Sequence, residues 1–148
     1  MTYELIRKQM STVVPFNTFL GVKILEIGDG TALCSLPLQK TLLNHIKTAH
    51  ASAIFGLSEA ASGAAMSGAF APVILDIRPV AGQASISYLK TAKTDLTALA
   101  RTQDKTDELR RRLQAEGKAA FDVEVLVQDA EGNDIANMMV KWHVSKKR

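Results

Sequence analysis

The stretch from residue 48 to residue 69 constrains the fold more than any other part of this sequence. Most of its positions are Ala, Ser or Gly, and between Lys47 and Asp76 only Glu59 carries a full charge. Nothing in the stretch alternates with the period of two that a strand needs, and its alanines favour a helix. We therefore predict one long helix that is wrapped by a sheet.

A membrane span is the alternative for such an uncharged segment, since about 18 or more apolar residues can cross a bilayer. Three glycines, four serines, His50 and Glu59 fall within residues 48–69, which makes the segment too polar for a span. Small residues at positions 56, 60, 63 and 67 share one helix face. We expect this face to let another backbone come very close.

The composition indicates an ordinary globular protein. The 148 residues, of which 47% are apolar and 22% charged, suit a single domain spanning residues 1–148 with a substantial core. The opening MTYELIRKQM predicts a short helix and lacks the apolar region of a signal peptide. A lone cysteine, Cys34, cannot form an internal disulfide, which fits a reducing compartment. We expect a cytoplasmic location.

Charge and aromatic content argue against nucleic acid as a partner. The net charge is +3, and the basic excess is concentrated at residues 110–112 and 146–148. Aromatic residues make up 5% of the chain, whereas a nucleic-acid surface combines a broad basic face with interleaved aromatics. The arginines at 110–112 are typical of a solvated helix face, although they could attract the phosphates of coenzyme A.

The remaining patterns predict a helix, a hairpin and long antiparallel strands around the central helix. Pro15 interrupts the first helix, and Gly28-Asp29-Gly30 marks a turn between two short strands. From Pro72 onward the pattern is β, with Glu131-Gly132-Asn133 as the last reversal. Residues 104–117 form a surface helix, opened by Asp or Thr and ended by Gly117. The fold class is α+β.

Two features of the central helix suggest acyl transfer to water. The sequence contains no HExxH, paired-cysteine, GxSxG or phosphate-loop motif. The free amides at the helix start, near His50, Ala51 and Ser52, could stabilise an oxyanion. Glu59, buried and with a raised pKa, could act as general base or nucleophile. The alternative for Glu59 is a structural acid tied to a serine or to a backbone amide.

The spacing of these groups demands a second chain. Glu59 lies eight residues beyond Ala51, and at about 1.5 Å per residue the separation is roughly 12 Å. One chain cannot bring both groups to the same carbonyl. A two-fold dimer with its helices side by side could do so, with the amide from one chain and Glu59 from the other.

The order of elements and the spacing of Asn44, His50, Glu59 and Gly63 resemble the hotdog-fold thioesterases, especially the phenylacetyl-CoA thioesterase group. This chain reads NHIKTAHAS and then LSE where that group has Asn-x-x-Gly-x-x-His-Gly-Gly and a helix acid, and its ISYLKTA is similar to the family's following strand. The likeness runs from about residue 15 to residue 144. The chain is also similar to a less characterised branch that lacks the motif glycines.

The resemblance implies an antiparallel sheet around one central helix and an acyl-CoA thioesterase that works as a homodimer or dimer of dimers. It implies that Glu59 is the catalytic carboxylate, Asn44 an orienter of water or thioester, and the Ala51 amide the oxyanion donor, with His50 supporting the loop. We expect four further residues to contact the substrate: Ser52, Phe55, Tyr88 and Lys90. Lys47, Ala51 and Ser52 stand where the group has glycines.

Two other functions stay open from the sequence. One is a non-catalytic module that binds an acyl chain or acyl-CoA between subunits, and the other is the dehydratase branch of the same fold, whose characteristic histidine and proline-containing loop are not found. No metal or redox cofactor and no membrane partner is expected. The acyl group depends on which of four side chains reaches the pocket floor: Phe55, Met66, Met138 or Met139.

Overall fold

The computed structural model describes residues 1–148. Its helices are α1 (Tyr3–Val13), α2 (Pro15–Leu20), α3 (Ala51–Ala69) and α4 (Thr106–Glu116). Its strands are β1 (Lys23–Gly28), β2 (Thr31–Leu36), β3 (Ile77–Tyr88), β4 (Leu96–Thr102), β5 (Lys118–Gln128) and β6 (Asp134–Lys146). Two short 3-10 helices, Lys40–Leu42 and Ala71–Asp76, precede α3 and β3.

The six strands form one antiparallel sheet in the order β1-β2-β4-β5-β6-β3. Alternate residues of β4, β5 and β6 are buried, as expected for strands with one face on a core. Strand β3 pairs with β6 on one side only, and most of its residues are exposed. It is therefore a long edge strand whose outer hydrogen-bonding groups have no partner strand.

Helix α3 packs against this sheet, which confirms the predicted α+β arrangement. Every residue from Ala60 to Ala69 is buried. Near its end, a Cβ placed on Gly68 would overlap the backbone carbonyl of Gly28, so the chain needs glycine there. No helix of the structure combines the length and the apolarity that a membrane crossing requires.

The predicted small-residue face is used differently from our expectation. A Cβ on Gly56 would lie 2.6 Å from Cδ2 of Leu20, and one on Gly63 would lie 3.4 Å from the ring of Trp142. Side chains rather than another backbone therefore fill this face. The close backbone approach occurs at Gly68, outside the predicted set, because β1 ends against that side of the helix.

Several predicted boundaries are corrected by the structure. Pro15 starts a second helix instead of only ending the first, because proline suits the first helical turn. Residues 72–76 form a 3-10 helix rather than a strand, again with proline in the first turn. Helix α4 follows Lys105 without a side-chain cap, since Asp104 pairs with Arg112. Its predicted end is confirmed, with Gly117 in the left-handed conformation.

Candidate active site

Glu59 lies in the middle of α3, partly buried and without a polar partner. Burial raises the pKa of its carboxyl group, and no neighbouring cation or hydrogen-bond donor opposes that effect. The nearby Ser58 and Ser62 hydroxyls donate instead to the backbone carbonyls of Ile54 and Glu59, each at 2.7 Å. The carboxylate oxygens are therefore free to act on a ligand or on water.

The Glu59 side chain lines a cavity of about 400 Å³, which we call the Glu59 cavity. Helices α1 and α2 form one wall, α3 forms the other, and Trp142 closes part of the space between them. The lining is mostly apolar, and Glu59 is the only charged side chain in it. The indole Nε1–H of Trp142 donates to Ser62 Oγ at 3.0 Å, which fixes the ring.

A second cavity of about 430 Å³ opens at the start of α3, and we call it the helix-start cavity. Four of the predicted site residues line it: Asn44, Ala51, Tyr88 and Lys90. The Tyr88 hydroxyl donates to the Ala51 carbonyl at 3.1 Å, and Lys90 Nζ donates to Asn133 Oδ1 at 3.3 Å. The end of β3 is thereby held against the start of α3.

The first amides of α3 differ in what they contact. His50 is the N-cap residue, and its Nδ1 accepts the Ser52 N–H at 2.9 Å. The His50 carbonyl accepts the amides of Ala53 and Ile54 at 2.9 and 3.1 Å. The Ala51 N–H is left without a protein acceptor, so it is the amide that can bind an oxyanion. Since Nδ1 accepts, the neutral His50 ring carries its proton on Nε2.

Asn44 organises the loop that leads into α3. Its Oδ1 accepts the amides of Ile46 and Thr48, both at 3.0 Å, and its Nδ2 donates to Thr48 Oγ1 at 2.8 Å. The loop includes Lys47, whose φ of 62° is the only positive value at a non-glycine residue. Lys47 stands where the resembled motif has glycine, so the structure explains why a glycine suits that position.

The two other predicted substrate residues, Ser52 and Phe55, lie on the helix between the cavities. Both are exposed, and with Glu59 they share one face of α3 at intervals of three and four residues. This face becomes buried beyond Glu59, at Gly63. The structure thus brings Asn44, Ala51, Tyr88 and Lys90 together but leaves Glu59 in the other cavity.

Sequence reasoning missed the residues that enclose the Glu59 carboxylate. Met10, Asn17 and Trp142 line the cavity, but each lies far from Glu59 in sequence. Of the four candidates for the pocket floor, only Met66 lines this cavity. The one signal available in the sequence was that a single Trp sits in an alternating strand pattern near the C-terminus.

Other groups with chemical potential are engaged or inert. The guanidinium groups at residues 110–112 each bind a carboxylate, from Asp29, Glu108 or Asp104. Burial raises the pKa of the Cys34 thiol to about 12, so that thiol stays protonated. No group of three or more His, Cys, Asp or Glu side chains is arranged to hold a metal ion.

Comparison with known proteins shows both the family and the fold. The model of a family described as "Domain of unknown function (DUF4442)" matches residues 2–144. No protein with curated annotation matches this sequence. The fold is similar to that of a Pseudomonas aeruginosa protein of unknown function, a probable thioesterase, at 22% identity and TM-score 0.84, covering 99% of this chain and 97% of that one.

Two further solved structures have the same fold. The Escherichia coli PaaI protein, from the phenylacetic acid degradation operon, is 17% identical with TM-score 0.76, covering 99% of this chain and 94% of its own. A hypothetical thioesterase from Streptococcus pneumoniae, solved with coenzyme A, is 21% identical with TM-score 0.71. The match covers 95% of this chain and 98% of that one. The predicted hotdog fold is confirmed.

Proposed function

We propose that this chain, which belongs to the DUF4442 family, is an acyl-CoA thioesterase, which hydrolyses a thioester to a free acid and coenzyme A. One observation carries the proposal. A carboxylate without a partner, Glu59, faces an apolar cavity on the same helix whose first amide, at Ala51, is also without a partner. The fold shared with proteins named as thioesterases supports it.

The chemistry follows from these two groups. In the general-base route, Glu59 removes a proton from water, and the water oxygen attacks the thioester carbonyl carbon. The Ala51 N–H of the partner chain stabilises the oxyanion, and collapse breaks the C–S bond. The Glu59 carboxylic acid then returns the proton to the thiolate. In the nucleophilic route, the Glu59 carboxylate attacks the carbonyl carbon, and the C–S bond breaks to release the thiolate and form an anhydride. Water then hydrolyses the anhydride to the free acid and the Glu59 carboxylate, and the proton that water releases goes to the thiolate.

Strand β3 supplies a route by which two chains complete the site. Pro79, near its start, lines the Glu59 cavity, and Tyr88, at its end, lines the helix-start cavity. If two free β3 edges pair antiparallel about a two-fold axis between Gln83 and Ala84, Pro79 of each chain lies beside the partner's Tyr88. The Glu59 cavity of one chain would then meet the helix-start cavity of the other.

The remaining site residues take supporting roles in this proposal. Asn44 fixes the loop through its own hydrogen bonds and thereby orients the Ala51 amide toward the thioester. His50 caps the helix and thereby holds the loop at the start of α3. Ser52 and Phe55, on the exposed face of α3, contact the acyl-CoA, and Lys90 attracts its phosphates.

Thiol release from short, long and aromatic acyl-CoAs tests the activity. We expect Glu59→Gln to lower hydrolysis at least about 10²-fold, because it removes the base while keeping size and polarity. Glu26→Gln is the matched control, since Glu26 is exposed on β1, and it should keep wild-type rates. Equal rates for both variants would exclude Glu59 from catalysis.

A non-catalytic acyl-CoA binding module is the second candidate. The observation in its favour is that both side-chain polar atoms of Asn44 are already bonded within the loop. Acyl-CoA that binds wild-type protein without any thiol release would establish this function instead.

A further inference from the structure

We propose that the Glu59 cavity holds a straight, saturated acyl chain of about eight to ten carbons, and that Met10 of α1 sets the width of the cavity at the middle of that chain. This inference rests on the proposed function for the thioester chemistry but concerns the identity of the acyl group. It is carried by the shape of the cavity, by the chemistry of its lining and by the place of Met10 in it.

The cavity is a slot between two helices that run in opposite directions. On α3 the lining extends from Glu59 to Ser67, eight residues or roughly 12 Å at about 1.5 Å per residue. On α1 it extends from Ile6 to Val13, seven residues or roughly 10 Å. The start of α1 lies near the end of α3, because Met1 and Ala71 line a common surface pocket.

These lengths set the size of the acyl chain. An extended chain of tetrahedral carbons advances about 1.2 Å per bond, as a fully extended backbone does with its three bonds per residue. A slot of roughly 10–12 Å therefore takes about eight to ten carbons counted from a carbonyl at Glu59. A longer chain would have to pass Ile6, which is buried, toward Met1, Ile74 and Leu75 at the edge of the cavity.

Most of the lining favours a hydrocarbon chain, although it also includes the polar side chains of Gln9, Asn17 and Ser67. Three methionines, Met1, Met10 and Met66, contribute flexible thioethers that adapt to a moving aliphatic chain. The hydroxyl of Ser67 is already donated to the Gly63 carbonyl at 2.9 Å, so it offers no hydrogen to a substrate group. A second carboxylate on the acyl group would lose its hydration among the apolar side chains that make up most of the lining.

Met10 occupies the middle of the α1 wall, between Ile6 and Val13, and Gly63 the middle of the α3 wall. Met10 is only partly buried and packs at the edge of the core, so its replacement changes the slot with little loss of core packing. A larger side chain at this position should block the far half of the slot. A smaller one should widen it.

The fluorescence of Trp142 can report binding of an acyl chain in the Glu59 cavity without any hydrolysis. It is the only tryptophan in the chain, and it lines this cavity. Its emission should therefore change when an acyl chain enters. The probes are free saturated fatty acids from butanoate to palmitate, with phenylacetate and adipate as the aromatic and dicarboxylic comparisons.

In wild-type protein, the affinity reported by Trp142 should rise about four-fold per added methylene and stop rising near decanoate. Phenylacetate and adipate should bind at least about ten-fold more weakly than octanoate. The chain-length profile of acyl-CoA hydrolysis should have its maximum at the same length. Met10→Phe should move both profiles to shorter chains, because it blocks the far half of the slot. Met10→Ala should leave the best chain length unchanged and strengthen binding of phenylacetate, because it widens the middle of the slot.

Met139→Phe is the matched control, because Met139 is exposed on β6 and does not line the cavity. It should leave both profiles unchanged. The proposal would be overturned if no fatty acid changed the emission of Trp142, if affinity did not depend on chain length, or if the Met10 variants behaved as wild type. A fatty-acid response without thiol release would leave this inference standing and remove the proposed hydrolysis.

Discussion

At the scale of single residues, the buried carboxyl group of Glu59 lowers the stability of the folded chain at neutral pH. Burial raises the pKa of its carboxyl group above the ordinary 4.5, so the folded chain favours the protonated form. The resulting stabilisation is complete below the unfolded pKa and is lost as pH rises through the folded pKa. At neutral pH the ionised carboxylate therefore carries a free-energy cost that a neutral amide would not.

We therefore expect Glu59→Gln to unfold at higher denaturant concentration than wild type at neutral pH. The difference should shrink as pH falls through the raised pKa of the folded wild-type carboxyl, and it should be lost below the ordinary value of 4.5. Denaturant titrations at several pH values measure it, with Glu26→Gln as the control. A Glu59→Gln variant less stable than wild type at neutral pH would mean that the carboxylate has a stabilising partner.

Lys47 is the other residue whose conformation has a measurable consequence. Its φ of 62° costs a non-glycine residue about 1–2 kcal/mol, whereas glycine adopts that angle freely. After the entropy that glycine adds to the unfolded chain, Lys47→Gly should stabilise the protein by about 0.5–1 kcal/mol. Thermal or chemical unfolding provides the measurement.

The control for this substitution is Lys93→Gly, at an exposed loop residue whose φ is not positive. It should destabilise by about 0.5 kcal/mol, because only the unfolded-state entropy changes. Similar effects of the two substitutions would show that the angle at Lys47 stores no strain.

At the scale of elements, the start of α3 permits a substitution that removes one hydrogen-bond donor, the backbone N–H of Ala51. Ala51 is the first helical residue, where proline is well tolerated, and His50 before it has φ −64° and ψ 139°, an extended conformation compatible with a following proline. Ala51→Pro should keep the helix and the fold while deleting the proposed oxyanion donor. We expect thioester turnover to fall about 10²–10³-fold.

Ala51→Gly is the paired variant, because it keeps the N–H and introduces the glycine of the resembled motif. Its turnover should stay near wild type. If Ala51→Pro hydrolyses as fast as Ala51→Gly while both remain folded by circular dichroism, the oxyanion donor lies elsewhere.

At the scale of the whole molecule, the proposal requires that each site take Glu59 from one chain and Ala51 from its partner. Glu59→Gln and Ala51→Pro homodimers should both be inactive. Co-refolding equal amounts should create hybrids with one intact site, and random pairing predicts recovery of about a quarter of the wild-type activity. Activity assays on the mixture, with each variant alone as the control, test this.

Sedimentation of wild-type protein at micromolar concentration should show a dimer or a dimer of dimers. A monomer that hydrolyses acyl-CoA, or a mixture that recovers no activity although hybrids form, would place the complete site within one chain. In that case the separation of Glu59 from the Ala51 amide would need a movement of α3 that the packing of its buried second half opposes.

Features whose causes are local were predictable from the order of the residues. The run of small residues predicts α3, Asp29-Gly30 predicts the first hairpin, and Gly117 predicts the end of α4. The isolation of Glu59 among uncharged residues pointed to the candidate carboxylate for the same reason, since neighbours in sequence share its helix. Local pattern also misled, as at residues 72–76, where proline and β-like composition formed a 3-10 helix.

Which side chains lie close together depends on the tertiary structure. Met10 and Trp142 line the same cavity as Glu59, although they lie 49 and 83 positions from it in sequence. Tyr88 donates to the Ala51 carbonyl across 37 positions. Strand order and helix packing, which no local pattern encodes, bring these residues together. The unpartnered Ala51 amide is likewise visible only once His50 is seen to satisfy its neighbours. The sequence gives the chemical type of each side chain. Cavities arise from long-range contacts that form only when the chain folds.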